Sequence, residues 1–111
     1  MLEMKIVEYL NEADQSPFSD WFGSLDAQAA AKVTIAIARM EAGAMSSVKS
    51  VGGGVAEYRI HWGAGYRIYF GRDGDEWVIL LAGGTKRRQQ RDIEDAQRRW
   101  ADYKKRKKEG K

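Results

Sequence analysis

Residues 51–84, "VGGGVAEYRIHWGAGYRIYFGRDGDEWVILLAGG", restrict the fold more than any other part of the chain, because glycine clusters cut an otherwise strand-forming run at short intervals. Between "GGG" and "GAG" the side chains alternate. Tyr58, Ile60 and Trp62 fall on one face of a strand, and Glu57, Arg59 and His61 fall on the other. Past the "GAG" turn, Tyr66, Ile68 and Phe70 repeat the apolar face while Arg67 and Tyr69 repeat the polar one. The next turn centres on Asp73-Gly74, and "WVILLAGG" is apolar on both faces, the pattern of a central strand. This spacing predicts a three-stranded meander with one face on a core. The face carrying Glu57, Arg59, His61, Arg67 and Tyr69 is expected to turn away from that core.

The segments on either side supply the other layers. "MKIVEYL", Met4 to Leu10, reads as a first strand, although Met1 to Glu8 also reads as frayed helix. Ser16 is placed to cap a short helix that starts at Pro17, where a missing N–H costs nothing, and that shows Phe18, Trp21, Phe22 and Leu25 on one side. Asp26 can cap the next helix, "AQAAAKVTIAIARMEAG", with Ala29, Val33, Ala36, Ile37 and Met40 on one stripe and Gly43 after its end. So short a link makes the two helices an antiparallel hairpin suited to covering a sheet. "TKRRQQRDIEDAQRRWADYKKRKKEGK" reads as a last helix with Ile93, Ala96, Trp100 and Tyr103 on one side and a basic, mobile tail from about residue 104. The expectation is one α+β domain over 1–111: an N-terminal strand and helical hairpin packed on a small antiparallel sheet, with a basic C-terminal helix.

Composition narrows the function classes. The chain has no cysteine, which excludes disulfides and thiolate metal sites and suits a reducing, cytoplasmic location. No apolar run approaches the roughly 18 residues of a membrane span, and "MLEMKIVEYL" lacks a basic leader, so no membrane partner is expected. The net charge of +3 hides a division: residues 1–45 carry three Lys/Arg against seven Asp/Glu, and residues 46–111 carry sixteen against nine. A segregated basic half suits a polyanion such as RNA, because neutralising phosphates releases counterions; it also suits a plain solubilising surface.

Several residues carry possible chemistry. Arg59, Arg67 and Tyr69 on adjacent strands can converge on one phosphate, since guanidinium forks offer several donors and keep their charge. The alternative is a solvated face in which Glu57 pairs with an arginine. His61 is the chain's one histidine. A two-histidine ribonuclease mechanism is therefore closed to this chain, and exposure near a turn without a role is the simpler reading. With no second histidine, no cysteine and no carboxylates at ligand spacing, no metal and no cofactor is expected. Lys86, Arg87, Arg88 and Arg91 crowd the start of the last helix, where helix electrostatics favours anions, unless the helix begins later, near Asp92. Lys104, Lys105 and Arg106 add possible RNA contacts.

Taken in order, "FSDWFGSLD" with its alanine-rich helix, "VKSVGGGVAEYRIHWGAGYRIYF" and "VILLAGGTKRRQQRDIEDA" resemble the RelE/ParE toxin superfamily of bacterial toxin–antitoxin systems. The likeness is to its addiction-module killer branch, related to HigB-like and phage Gp49-like toxins, and spans nearly the whole chain. Thr85 stands where that branch has an acid, Arg87 and Arg88 replace small hydroxyl residues, and Ala64 replaces a proline. The resemblance implies a metal-independent endoribonuclease that cuts mRNA on the ribosome and is neutralised by a cognate helix-turn-helix antitoxin, as a free monomer or in a toxin–antitoxin heterotetramer. It assigns catalysis to Arg59, Arg67, Tyr69 and Lys86, with Glu57, Gln89 and Asp92 in support. Two alternatives stay open: a ParE-like gyrase inhibitor, and a phage-derived nucleic-acid-binding protein without activity.

Overall fold

The structure, a computed structural model, describes residues 3–110. Ser16 accepts a hydrogen bond from the Ser19 amide and starts helix α1, Pro17–Gly23; Asp26 does the same for the Ala29 amide and starts α2, Ala27–Glu41. Both caps stand where the sequence places them. The strands are β1 (Lys5–Glu8), β2 (Val48–Gly52), β3 (Val55–Ile60), β4 (Tyr66–Asp73) and β5 (Trp77–Gly84). They form one sheet in the order β1-β5-β4-β3-β2.

Two features depart from the expected sheet. The meander has four strands, because "GGG" does not lead into a strand but turns a β2–β3 hairpin. Gly52, Gly53 and Gly54 all have positive φ, a conformation that only glycine adopts without strain. The sheet is also mixed: β1 lies parallel to β5, with Lys5 opposite Trp77 and Glu8 opposite Leu80, while all other pairs are antiparallel. The β1 alternative of frayed helix falls away for residues 5–8, and Met1 and Leu2 lie outside the described residues. The α+β class stands.

Helices α1 and α2 cover one face of the sheet. Phe18, Val33, Ala36 and Met40 pack on Met4, Tyr58, Ile68, Phe70, Val78 and Leu80, the apolar set expected from the alternation. The other face was expected to turn outward, and it does not. Helix α3, Gln89–Lys108, lays Ala96 and Trp100 over Val55, Tyr69, Ile79 and Leu81 and makes a second core. The physical reason is visible in β5, whose alternate residues are apolar on both sides and need cover on both. Gly71 makes room for this packing, since a Cβ there would overlap the Trp100 indole.

The segment from residue 104 is not a separate tail. It continues α3 to Lys108 and is tied down by Arg106, which pairs with Asp102 at 2.7 Å and donates to the Leu10 carbonyl, and by Lys107, which pairs with Asp73 at 2.6 Å. Tyr9 reaches the same region and donates to Asp102 at 2.6 Å. Lys111 lies outside the described residues. Among the described residues no helix is long and apolar enough to cross a membrane.

Candidate functional site

The register of β3 and β4 sets Arg59 opposite Arg67 and Glu57 opposite Tyr69, so the four residues form a two-by-two block on the α3 side of the sheet. Cross-strand neighbours in such a block are close enough for long side chains to share a partner. That partner is Glu57. It is 0% exposed; its Oε1 accepts from Arg59 Nε at 3.0 Å, and its Oε2 accepts from Gln89 Nε2 at 2.9 Å and lies 3.4 Å from Arg67 Nε. The convergence of Arg59 and Arg67 on one anion is thus present, but the anion is the protein's own carboxylate.

Charge and burial follow from this arrangement. Burial opposes ionisation of Glu57, yet the hydrogen bonds from Arg59 and Gln89, the nearby Tyr69 hydroxyl and the Arg67 charge outweigh it and hold the carboxyl below the ordinary glutamate range. Tyr69 is 0% exposed, and its hydroxyl makes no hydrogen bond of good geometry. Burial, then the adjacent Glu57 charge, raises its pKa far above the ordinary phenol value, so it stays neutral. Arg67 is 6% exposed and donates Nη1–H to the Gly65 carbonyl at 2.9 Å, which fixes the β3–β4 turn. Arg59 is the open member of the cluster, with 36% of its side chain exposed. The expectation of a solvent-facing cluster is therefore corrected for Glu57, Arg67 and Tyr69, which α3 covers.

The start of α3 closes one side of the block. Lys86–Arg88 form a single 3-10 turn and the α-helix proper begins at Gln89, three residues before Asp92. Gln89 is delivered by this turn onto Glu57. Lys86 is exposed, and its Cβ and the Arg67 Nη1 both flank Gly65, 3.8 and 3.6 Å from where a Cβ would stand there. Asp92 sits against Gly84, the residue opposite Arg67 on β5, at a place where any Cβ would overlap the carboxylate. Burial raises the Asp92 pKa, with Asp95 adding to the shift and Arg88, Arg99 and Arg91 opposing it. Arg87, Arg88, Arg91, Lys104 and Lys105 are exposed, Arg106 is half-buried in its pair with Asp102, and His61 is exposed.

Two cations that the sequence reading passed over also stand near Arg59. Lys32 and Arg39 of α2 line a groove of about 300 Å³ with Arg59, His61 and Trp62. Their signal in the sequence is two like charges seven residues apart on one helix, with no acid three or four residues from either.

The fold and the cluster define a small α+β protein built on one five-stranded sheet, with a carboxylate-centred arginine site closed by the start of its last helix. The chain belongs to the phage-derived protein Gp49-like family (DUF891), which matches residues 20–101 and so runs from within α1 through most of α3. It is 40% identical over 80 residues to an uncharacterized protein of Haemophilus influenzae (strain ATCC 51907 / DSM 11121 / KW20 / Rd), an alignment covering 71% of this chain and 81% of that one.

Proposed function

We propose that this protein is the toxin of a toxin–antitoxin pair, of the RelE/ParE type and nearest its HigB-like members, that cleaves mRNA on the ribosome. Membership of the Gp49-like family supports the toxin context. The observation that carries the chemistry is the partly exposed side chain of Arg59, held by buried Glu57, on the same block as Arg67, whose guanidinium shares the Gly65 turn with exposed Lys86. Strands hold such groups more accurately than loops do, and placement is most of what a metal-independent phosphotransfer needs.

In this reading the ribose O2′ forms a bond to phosphorus while the bond from phosphorus to O5′ breaks, leaving a cyclic phosphate and a 5′ hydroxyl. The 2′ proton passes to water. Arg59 and Lys86 stabilise the charge that gathers on the phosphoryl oxygens, and Lys86 donates a proton to the departing O5′. Arg67 acts from beneath through the turn, and Glu57, Gln89 and Asp92 are positioning residues. Arg87, Arg88 and Arg91 hold flanking phosphates, and a helix-turn-helix antitoxin neutralises the protein in the cytoplasm.

One observation favours a second reading. Tyr69 is covered and Glu57 already pairs with both arginines, which suits an RNA-binding protein without cleavage. Mapping message 5′ ends after induction separates the two. New ends from the native chain that vanish in Arg59→Ala and Lys86→Ala support cleavage. Intact messages refute it, and a DNA-damage response alongside them would point to gyrase instead.

A further inference from the structure

Among the first 45 residues acids outnumber cations, and only Lys5, Lys32 and Arg39 carry positive side chains. Lys5 faces Glu76 at 4.0 Å. The other two stand on one stripe of α2, two turns apart with Ile35 and Ala36 between them, and line the groove that also holds Arg59, His61 and Trp62. Neither has an acid one turn away on either side to pair with, although Arg39, in the last turn of α2, suits the helix dipole. No carboxylate lines the groove among the described residues, and no ion pair there reaches Lys32, Arg39 or His61. Lys32 Nζ lies 5.7 Å from the centroid of the Trp62 ring, which is itself stacked on Tyr66 at 5.8 Å, so the lysine is held at the groove wall by an aromatic support.

The backbone explains why the groove is there. Pairing between β2 and β3 ends at Val48 opposite Tyr58, so Arg59 and Ile60 have no strand beyond them on that side. Arg59 thereby belongs to two places at once. Its Nε–H is committed to Glu57, and Arg59 is also among the residues that line the groove.

We propose that this groove is a phosphate subsite for single-stranded RNA, in which Lys32, Arg39 and His61 hold a backbone phosphate next to the one engaged at Arg59. The inference rests on the RNA reading given above. RNA is favoured over an acidic protein segment because Arg59 links the groove directly to the arginine block, so one polyanionic strand can satisfy both with successive phosphates. A phosphate also accepts the several hydrogen bonds that lysine, arginine and imidazole groups offer together.

The test uses the intact chain and a fluorescein-labelled decamer of 2′-O-methyl RNA, which binds but cannot undergo attack by its own 2′ oxygen. Anisotropy is measured between low and moderate KCl for the native chain, for Lys32→Gln/Arg39→Gln, and for Lys5→Gln/Arg72→Gln, which removes the same charge elsewhere. The groove pair is expected to weaken binding about tenfold and to lower the slope of log K against log salt by about 0.7, the value for one single-strand phosphate contact. The control pair is expected to change both much less, and circular dichroism and melting should show all three chains folded alike. Equal losses in the two pairs, or no loss in the groove pair, overturn the subsite. So does a groove pair that binds the RNA normally but has lost binding to an oligoglutamate peptide, which would give the groove to an acidic protein partner. Binding that behaves as expected beside a failure to cut unmodified RNA leaves the subsite standing and removes only the cleavage reading.

Discussion

Arg59 and Arg67 stand directly opposite one another across β3 and β4, and a single carboxylate, Glu57, pairs with both, leaving the cluster one positive charge in excess. Two guanidiniums at this spacing repel unless an anion lies between them, and Glu57 supplies it from within the sheet. Glu57→Gln removes that charge while leaving Arg67 buried, so it is expected to lower unfolding free energy by about 3 kcal/mol, the low end for breaking a buried pair. Urea titration would measure this. Arg67→Ala should also unfold more readily than the native chain, because it empties a buried position and takes one of the two positive charges from beside Glu57. Lys86→Ala, at an exposed position, is the cleaner functional probe; Arg59→Ala also removes a hydrogen bond to Glu57 and is read beside a melting curve.

Stability should fall in acid with a defined sign. The folded-state pKa of Glu57 is depressed, as are those of Asp73, through hydrogen bonds from Lys107 and Tyr103, and of Asp102, through the hydrogen bond from Tyr9. A depressed acid stabilises the fold fully above its unfolded pKa, about 4 for carboxylates, and loses that contribution as pH drops through the folded value. Asp92 runs the other way, because its raised pKa favours the fold at low pH. Melting temperatures should therefore hold near a plateau down to about pH 4.5 and then decline. In Glu57→Gln the decline should be shallower; an unchanged acid limb would show that Glu57 is not linked to folding.

Gly83 on β5 lies against Trp21, and a Cβ there would overlap the indole ring. Gly83→Ala is expected to cost about 1–3 kcal/mol, the range for overpacking a core. Shrinking the obstacle should recover part of this, so Trp21→Leu combined with Gly83→Ala should lose less than the two single changes added together. A double-mutant cycle by chemical denaturation reads the coupling directly.

Local rules made most of the fold legible. Ser16 and Asp26 cap where a side-chain oxygen must meet free amides, and the two-residue alternation placed Tyr58, Ile68 and Phe70 in the core. What escaped was long-range. The positive-φ glycines 52–54 read as a loop until β2 is seen to need a partner, and the parallel pairing of β1 with β5 leaves no mark in either strand. The site was legible as a set of residues but not as a surface. Arg59, Arg67, Glu57, Tyr69 and Gln89 do meet, yet alternation says only that they share a face. It does not reveal that α3 lies over that face and leaves Arg59 the open member of the block. The clue lay in "WVILLAGG", whose two apolar sides demand two covering layers.

The parallel seam between β1 and β5 also bears on how the chain is made. Lys5–Glu8 are synthesised before the strand that accepts them, Trp77–Gly84, with both helices of the hairpin and three other strands in between. Until then the opening segment waits without a hydrogen-bonding partner, and the sheet acquires its last member only when β5 arrives. A pause in translation before β5 would therefore prolong the lifetime of an unpaired strand beside the newly formed α1 and α2.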